Sequence, residues 1–274
     1  MKLNFAFILA SFGLYAATPL AAADPYGPSS VSAPQASSSS TASSGKNAGP
    51  VAPKDESLGA TLAVGYESEY YFNGRGIAKD LVFTSLDWNT PLTDMFSVNL
   101  GAWYGHGDGD FSNLNLSAGV SANLGPVTVG VHYRWIDIIS PPDETPGDIL
   151  QHSANEIGLT LDSKIGPVNL NVAGYYDTQT DGFYFEAGAN GSIKITDWLS
   201  LVPGVAVGLN SHYYEIDGFS HVRVSLAAPI TLTKWATLTP FIAGNLTLDK
   251  LKHLEPDEVY GSTVYGGVTL SVRF

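Results

Sequence analysis

The 274-residue sequence predicts an all-β fold, a transmembrane antiparallel up-and-down β-barrel of about 12 strands with short periplasmic turns and long extracellular loops. Three observations point to it. Apolar residues recur at every second position over long stretches. The breaks between these stretches are alternately short and long. Aromatic residues gather at both ends of the stretches.

The chain opens with MKLNFAFILASFGLYAATPLAAA: a charge at Lys2, an apolar run from Leu3 to Tyr15, and small residues from Ala21 to Ala23. This is the layout of a secretory signal peptide over residues 1–23, cut before Asp24, rather than of an N-terminal membrane helix. Residues 24–57 are dominated by Ser, Ala, Pro and Gly and hold no apolar period. Such a segment buries too little surface to offset the entropy of folding, so it reads as a disordered periplasmic linker.

Residues 58–274 form the barrel. In LGATLAVGY, Leu58, Ala60, Leu62, Val64 and Tyr66 fall on one face; NLNLSAGVSANL and VTVGVHYRW repeat the pattern. Leu116 is expected to face lipid and Asn115 water. The tight breaks are Asn89–Met95, Leu124–Val127, Ile165–Val168, Ile195–Trp198 and Leu232–Trp235. The long ones follow Phe72, Gly105, Asp137, Asp177, Asn210 and Asp249. Trp88, Phe96, Trp198, Trp235 and Phe274 mark the periplasmic girdle. Tyr70, Tyr71, Phe72, Trp103, Tyr104, Tyr133, Trp135, Tyr175, Tyr176, Phe183 and Phe185 mark the extracellular one. Lipid cannot satisfy the backbone groups of an open edge, so the strand from Val264 to Phe274 must pair with the one from Leu58 to Phe72.

The closing stretch GGVTLSVRF resembles the C-terminal β-signal of bacterial outer-membrane proteins, with Leu270, Val272 and Phe274 at the matching positions. The resemblance implies export to the outer membrane of a Gram-negative cell and recognition by the barrel assembly machinery. The first hairpin, YESEYYFNGRGIAKDLVFTSLDW, is similar to the opening of the TorF-like porins. Tyr70 or Tyr71, Phe72, Arg75 and Gly76 stand in for that family's Tyr-x-Phe-Arg-Gly stretch, with Asn73 and Gly74 inserted.

With the apolar face outward, the other face lines the lumen. It carries the acids Glu67, Glu69, Asp87, Glu156, Asp162, Asp177, Glu186 and Asp249. The bases are Arg134, Lys164, Lys194, Arg223 and Arg273, with His132, His212 and His221 beside them. Many other inward positions are Gly. About 12 strands with small inner residues favour space over a plug of internal salt bridges. The expected function is a porin-like ion channel: passive diffusion of small hydrophilic solutes or ions, with a mild cation preference set chiefly by Glu67 and Glu69.

The composition bounds the partners. Removing residues 1–23 leaves 12 bases against 26 acids, a net charge of -14, which argues against nucleic-acid binding. Mean hydropathy is +0.06, and with no Cys the fold relies on packing and hydrogen bonds. The partners expected are outer-membrane lipid, lipopolysaccharide and small solutes. No cofactor is expected: the acidic runs Gly107–Asp110 and Glu255–Glu258 lack the spacing of a calcium loop. An outer-membrane hydrolase would need a nucleophile, a base and an orienting group. His152–Ser153 and Ser211–His212 are adjacent, but consecutive strand residues face opposite ways, so an enzyme is not expected. A surface adhesin or receptor using the long loops is a further alternative.

Overall fold

The structure, a computed structural model, describes residues 58–109, 111–139, 153–213, 216–248 and 263–274. The signal peptide and linker expected over residues 1–57 lie outside the described residues, as do Asp110, His152, Asp249 and the acidic run Glu255–Glu258. Twelve long strands close into a barrel. They are β1 (Ala60–Phe72), β2 (Arg75–Pro91), β3 (Phe96–His106), β4 (Ser112–Asn123), β5 (Val127–Ile139), β6 (Ser153–Ile165), β7 (Val168–Asp177), β8 (Gly182–Gly191), β10 (Ser200–Tyr213), β11 (Ile216–Ala227), β13 (Ala236–Thr247) and β14 (Thr263–Arg273). Two-residue pieces, β9 (Ile193–Lys194) and β12 (Ile230–Thr231), continue β8 and β11 towards the periplasmic rim.

Each long strand pairs antiparallel with its neighbours in the chain, and β1 pairs β14. Thr61 stands opposite Arg273 and Glu67 opposite Gly267, and the Phe274 N–H donates to the Ala60 carbonyl at 2.9 Å. The expected closure is present. Pro229 interrupts the sheet between β11 and β12, since it has no N–H to offer. Pro240, on the adjacent β13, uses its carbonyl to accept from Ala228 N–H at 2.9 Å, so its own missing donor faces that same break.

Three of the five periplasmic turns share one chemistry. In LTDMF, ITDWL and LTKWA the Thr hydroxyl accepts the N–H groups two and three residues on. The distances are 3.2 and 3.0 Å at Thr93, 3.3 and 3.0 Å at Thr196, and 3.1 and 3.0 Å at Thr233. These are hydroxyl-stabilised turns. They leave Phe96, Trp198 and Trp235 pointing outward beside the periplasmic ends of the strands. The other two turns place Gly125 (φ 89°) and Gly166 (φ 59°) in the left-handed region before Pro.

The apolar face is outside: Leu62, Val64, Leu100, Val131, Ile157, Leu159 and Val224 are all exposed, the reverse of a water-soluble fold. The extracellular girdle needs correction. Tyr104, Tyr133, Phe183 and Phe185 face outward, but Tyr70, Phe72, Trp103 and Tyr175 are buried inside the barrel. Two of the expected long loops are also tight. Phe72 pairs directly with Arg75 across Asn73–Gly74, and Asp177 pairs with Gly182 across a four-residue turn.

Leu116 is 43% exposed on the outer face, whereas Asn115 is 5% exposed and packed in the interior rather than facing water. Ser117, half-buried on the inner wall beside Gly101, is the better inward control. Leu116→Arg should destabilise the folded barrel in a lipid refolding titration by about 2–4 kcal/mol. Ser117→Arg should cost far less, and equal losses would overturn the assignment of faces.

Candidate functional site

The inner wall has two halves. Towards the periplasm the β2–β6 side carries small or polar residues, among them Ser85, Gly101, Ser117, Gly119 and Asp162, which are half-buried, and Asp87, which is exposed; this polar wall is the vestibule. On the other side Val202, Ala227 and Phe241 join a buried apolar cluster on β10, β11, β13 and β14. Towards the extracellular end the interior is filled. Tyr70, Leu81, Ile136, Tyr184 and Tyr213 are fully buried there, and Tyr70 stacks on Trp103 at 5.4 Å.

Charge in the filled half is paired. Arg134 on β5 stands opposite Glu156 on β6; its Nε donates to Glu156 Oε2 at 3.1 Å and its Nη2 to the same oxygen. The Tyr213 hydroxyl donates to the other oxygen, Oε1. The guanidinium lies 4.9 Å from the Tyr175 ring centroid and 5.8 Å from that of Phe72, in cation–π range. A second cluster surrounds Glu186 on β8. Tyr184 OH donates to Oε2 at 2.8 Å and Arg223 Nη2 to Oε1 at 3.2 Å, while His221 Nε2 stands 3.5 Å from Oε2. His221 reaches Glu186 across β10 because Gly208 lies between them in register. A Cβ there would meet the His221 ring at 2.5 Å.

The first hairpin folds into this interior. A register shift between Tyr70 and Tyr71 and a left-handed Asp80 (φ 50°) bend it inward. Its tip, Asn73–Gly74, is buried, and the Gly74 carbonyl accepts from Asn245 Nδ2 on β13 at 3.3 Å. Gly74 has φ 84°, and a Cβ on it would stand 2.3 Å from His221 Nδ1. Only Gly lets the tip sit this close to the far wall.

The described lumen residues of the sequence reading divide between these regions. Glu67, Arg134, Glu156, Asp177, Glu186 and His221 are buried in the filled half, with Arg223 half-buried beside them. Asp177 accepts from Gln179 N–H and Thr180 Oγ, both at 2.9 Å, and so shapes the tight turn that follows it. Glu69 accepts from Tyr71 OH at 3.3 Å and Thr263 Oγ1 at 3.5 Å. In the vestibule, His132 Nε2 is 3.0 Å from Thr160 Oγ1, and Asp87 Oδ2 accepts from Ser85 Oγ at 3.3 Å. Lys164, Lys194 and Arg273 lie exposed at the periplasmic rim rather than deep in the lumen; Lys194 pairs with Asp197 at 2.6 Å. His212 is exposed near the extracellular end, 3.4 Å from Asp217.

Two bulges overturn the rule used to dismiss neighbouring Ser and His. Ser211 and His212 both stand opposite Phe183, and Ser211 Oγ lies 3.5 Å from His212 Nδ1. Ser220 is the extra residue of a bulge on β11, and its Oγ lies 3.0 Å from His221 Nδ1. Neither pair presents a hydroxyl, a base and an orienting carboxylate together to solvent. At His212 the hydroxyl and Asp217 address the same ring nitrogen. Ser220, His221 and Glu186 do line up, but Ser220 and His221 are wholly shielded and Gly74 sits on the ring. The sequence reading also missed Asn210, Asn245 and Thr247. Their even spacing along inward faces was visible, but nothing in it showed that the first hairpin reaches them.

Breaking the Arg134–Glu156 pair from one side leaves an uncompensated buried charge. Arg134→Ala should lower unfolding stability by about 3–5 kcal/mol in detergent or lipid. Arg134→Met combined with Glu156→Leu should recover most of that loss. A double variant as unstable as the single one would show that the pair does more than neutralise itself.

No protein-family model matches the chain, and no curated protein matches it in sequence. Solved structures do match its shape. The COG4313 outer membrane channel from Pseudomonas putida F1 gives a TM-score of 0.51 at 15% identity, over 82% of this chain and 100% of that one. The NanC porin gives 0.50 at 8%, over 78% and 100%; the KdgM porin gives 0.48 at 7%, over 78% and 99%. The TorF-like resemblance of the first hairpin finds no support among these comparisons. At such identities the likeness is one of fold, and the chain has the fold of the outer-membrane β-barrel porins and channels.

Proposed function

We propose that the protein is an outer-membrane channel for small hydrophilic solutes or ions, shut in this conformation by its own first hairpin. The observation that supports this is the division of the interior. A barrel that is only a structural wall would be filled along its whole axis. Here the periplasmic half keeps a polar wall on β2–β6, and the hairpin tip Asn73–Gly74 reaches through the interior to β13. A mild cation preference is expected from the acids nearest the periplasm, the exposed Asp87 and the half-buried Asp162. Glu67 and Glu69, favoured on sequence grounds, are less exposed than Asp87 and rank below it. The hydrolase reading is weaker, because its best Ser–His–Glu alignment is sealed from solvent.

Single-channel recording in a planar bilayer tests this. Brief or small cation-preferring steps are expected, with the preference strongest at low salt. Asp87→Asn should move the reversal potential in a salt gradient towards zero more than Glu67→Gln with Glu69→Gln does. Anion preference in the parent protein would overturn the assignment.

The reading includes a cleaved signal peptide over residues 1–23, a periplasmic spacer over 24–57, contact with lipopolysaccharide, and assembly by the barrel machinery. Leu270 on β14 and Phe274 just after it are exposed, where such a machinery would grip. Deleting Phe274 should reduce heat-modifiable barrel in the outer membrane while leaving secretion intact. Unchanged barrel levels would remove the assembly role from this residue.

A further inference from the structure

The inner wall under the hairpin tip holds an unusual set of groups. His221 on β11 stands opposite Thr247 on β13 and opposite Gly208 on β10. Asn245 lies two residues before Thr247 on β13, opposite Arg223, and Asn210 lies two residues beyond Gly208 on β10, towards the extracellular end. Asn210, His221, Asn245 and Thr247 are each at least nine-tenths buried. Among the described residues, Asn210 Oδ1, Asn245 Oδ1 and Thr247 Oγ1 have no hydrogen-bond partner, and neither side-chain polar atom of Asn73, in the tip, has one. Buried polar groups are normally satisfied, so a cluster of unmatched ones around a single contact needs a reason.

We propose that His221, Asn245 and Thr247 form a binding site for an uncharged, hydroxyl-rich solute, a sugar or polyol, which the hairpin tip occupies in the closed barrel. This rests on the channel reading and names what the channel holds. The patch offers an amide oxygen that accepts, an amide nitrogen that donates, and a hydroxyl that does either. A polyol carries both kinds of group on every carbon and can match all of them. The carboxylate beside His221 is already committed: Glu186 takes Arg223 and Tyr184.

The tip is an imperfect stand-in. The Gly74 carbonyl takes the bond from Asn245 Nδ2 at 3.3 Å that a solute hydroxyl would take, but it leaves the amide and hydroxyl oxygens unmatched. A solute that matched them would compete with the tip and open the path it blocks.

The test uses the full refolded chain, with sucrose as the uncharged probe and glucuronate as the charged one. Gly74→Ala displaces the tip through its clash with His221; should it fail to fold, a Gly-Gly insertion after Gly74 replaces it. Heat-modifiable mobility confirms folding. Calorimetry should show sucrose binding to the opened variant, weakened about tenfold by adding Asn245→Ala. Sucrose should also lower the ion current of the opened variant. Binding that ignores Asn245→Ala, no sucrose binding, or tighter binding of glucuronate would overturn the site. If the opened variant conducts ions but does not bind sucrose, the site falls and the channel stands. If sucrose binds in the Asn245-dependent way while every variant stays silent in the bilayer, the channel falls and the site stands.

Discussion

The structure depends on one constraint: in lipid, every strand must have a neighbour on both sides. The β1–β14 pairing meets it, with Thr61 to Glu67 laid against Arg273 to Gly267. Once the ring is closed, the pleat sends alternate residues outward and inward, and the two solvents sort them. The outer set is apolar because it meets hydrocarbon. The inner set is free to be charged, provided that each charge near the closed end finds a partner. Closure thus fixes the outside, and it hands the inside a volume that about 12 strands leave wider than side chains alone need to fill.

The chain fills that volume unevenly. In the extracellular half, large rings on β1, β3, β7, β8 and β10 meet Arg134–Glu156 and the Glu186 cluster. In the periplasmic half, Gly and Ser take the same kind of position. Side-chain filling alone does not complete the upper half. The backbone of the first hairpin does, and it can do so because Gly74 and Gly208 carry no side chain where the tip, His221 and Glu186 meet. The interior is therefore a wall of paired and packed side chains with one inserted backbone segment.

Much of this was legible in the sequence. Alternation in segments such as NLNLSAGVSANL gave the strands and their faces, and the Thr-x-Trp and Gly-Pro breaks gave the periplasmic turns, because these signals are local. The inward position of Glu67, Arg134, Glu156, Asp177 and Glu186 followed from the same period. Irregular residues were not legible. Alternation fails at a bulge, so Ser220 and His221 share a side although they are consecutive. It also fails in the folded hairpin, where Tyr70 and Phe72 lie on what a straight strand would make the outer face and yet are buried. An aromatic near a strand end reads alike whether it faces headgroups or fills a lumen, so Trp103 and Tyr175 were placed in the wrong environment.

The charge distribution carries the last step. Counting acids and bases treats every lumen group as part of one field, and on that count the interior is acidic. Pairing changes its reach. Glu156 is neutralised by Arg134 at hydrogen-bond distance, and Glu186 faces Arg223 and His221, so their fields cancel within a few ångströms. Asp87 is exposed and Asp162 half-buried, both nearer the periplasm than those clusters. In the proposed channel, an ion entering from the periplasm meets those two carboxylates before the paired clusters. Selectivity in that reading belongs to the vestibule, while the buried charges of the upper half set the barrel's shape: they hold β5 to β6 and β8 to β11, the walls against which the first hairpin rests.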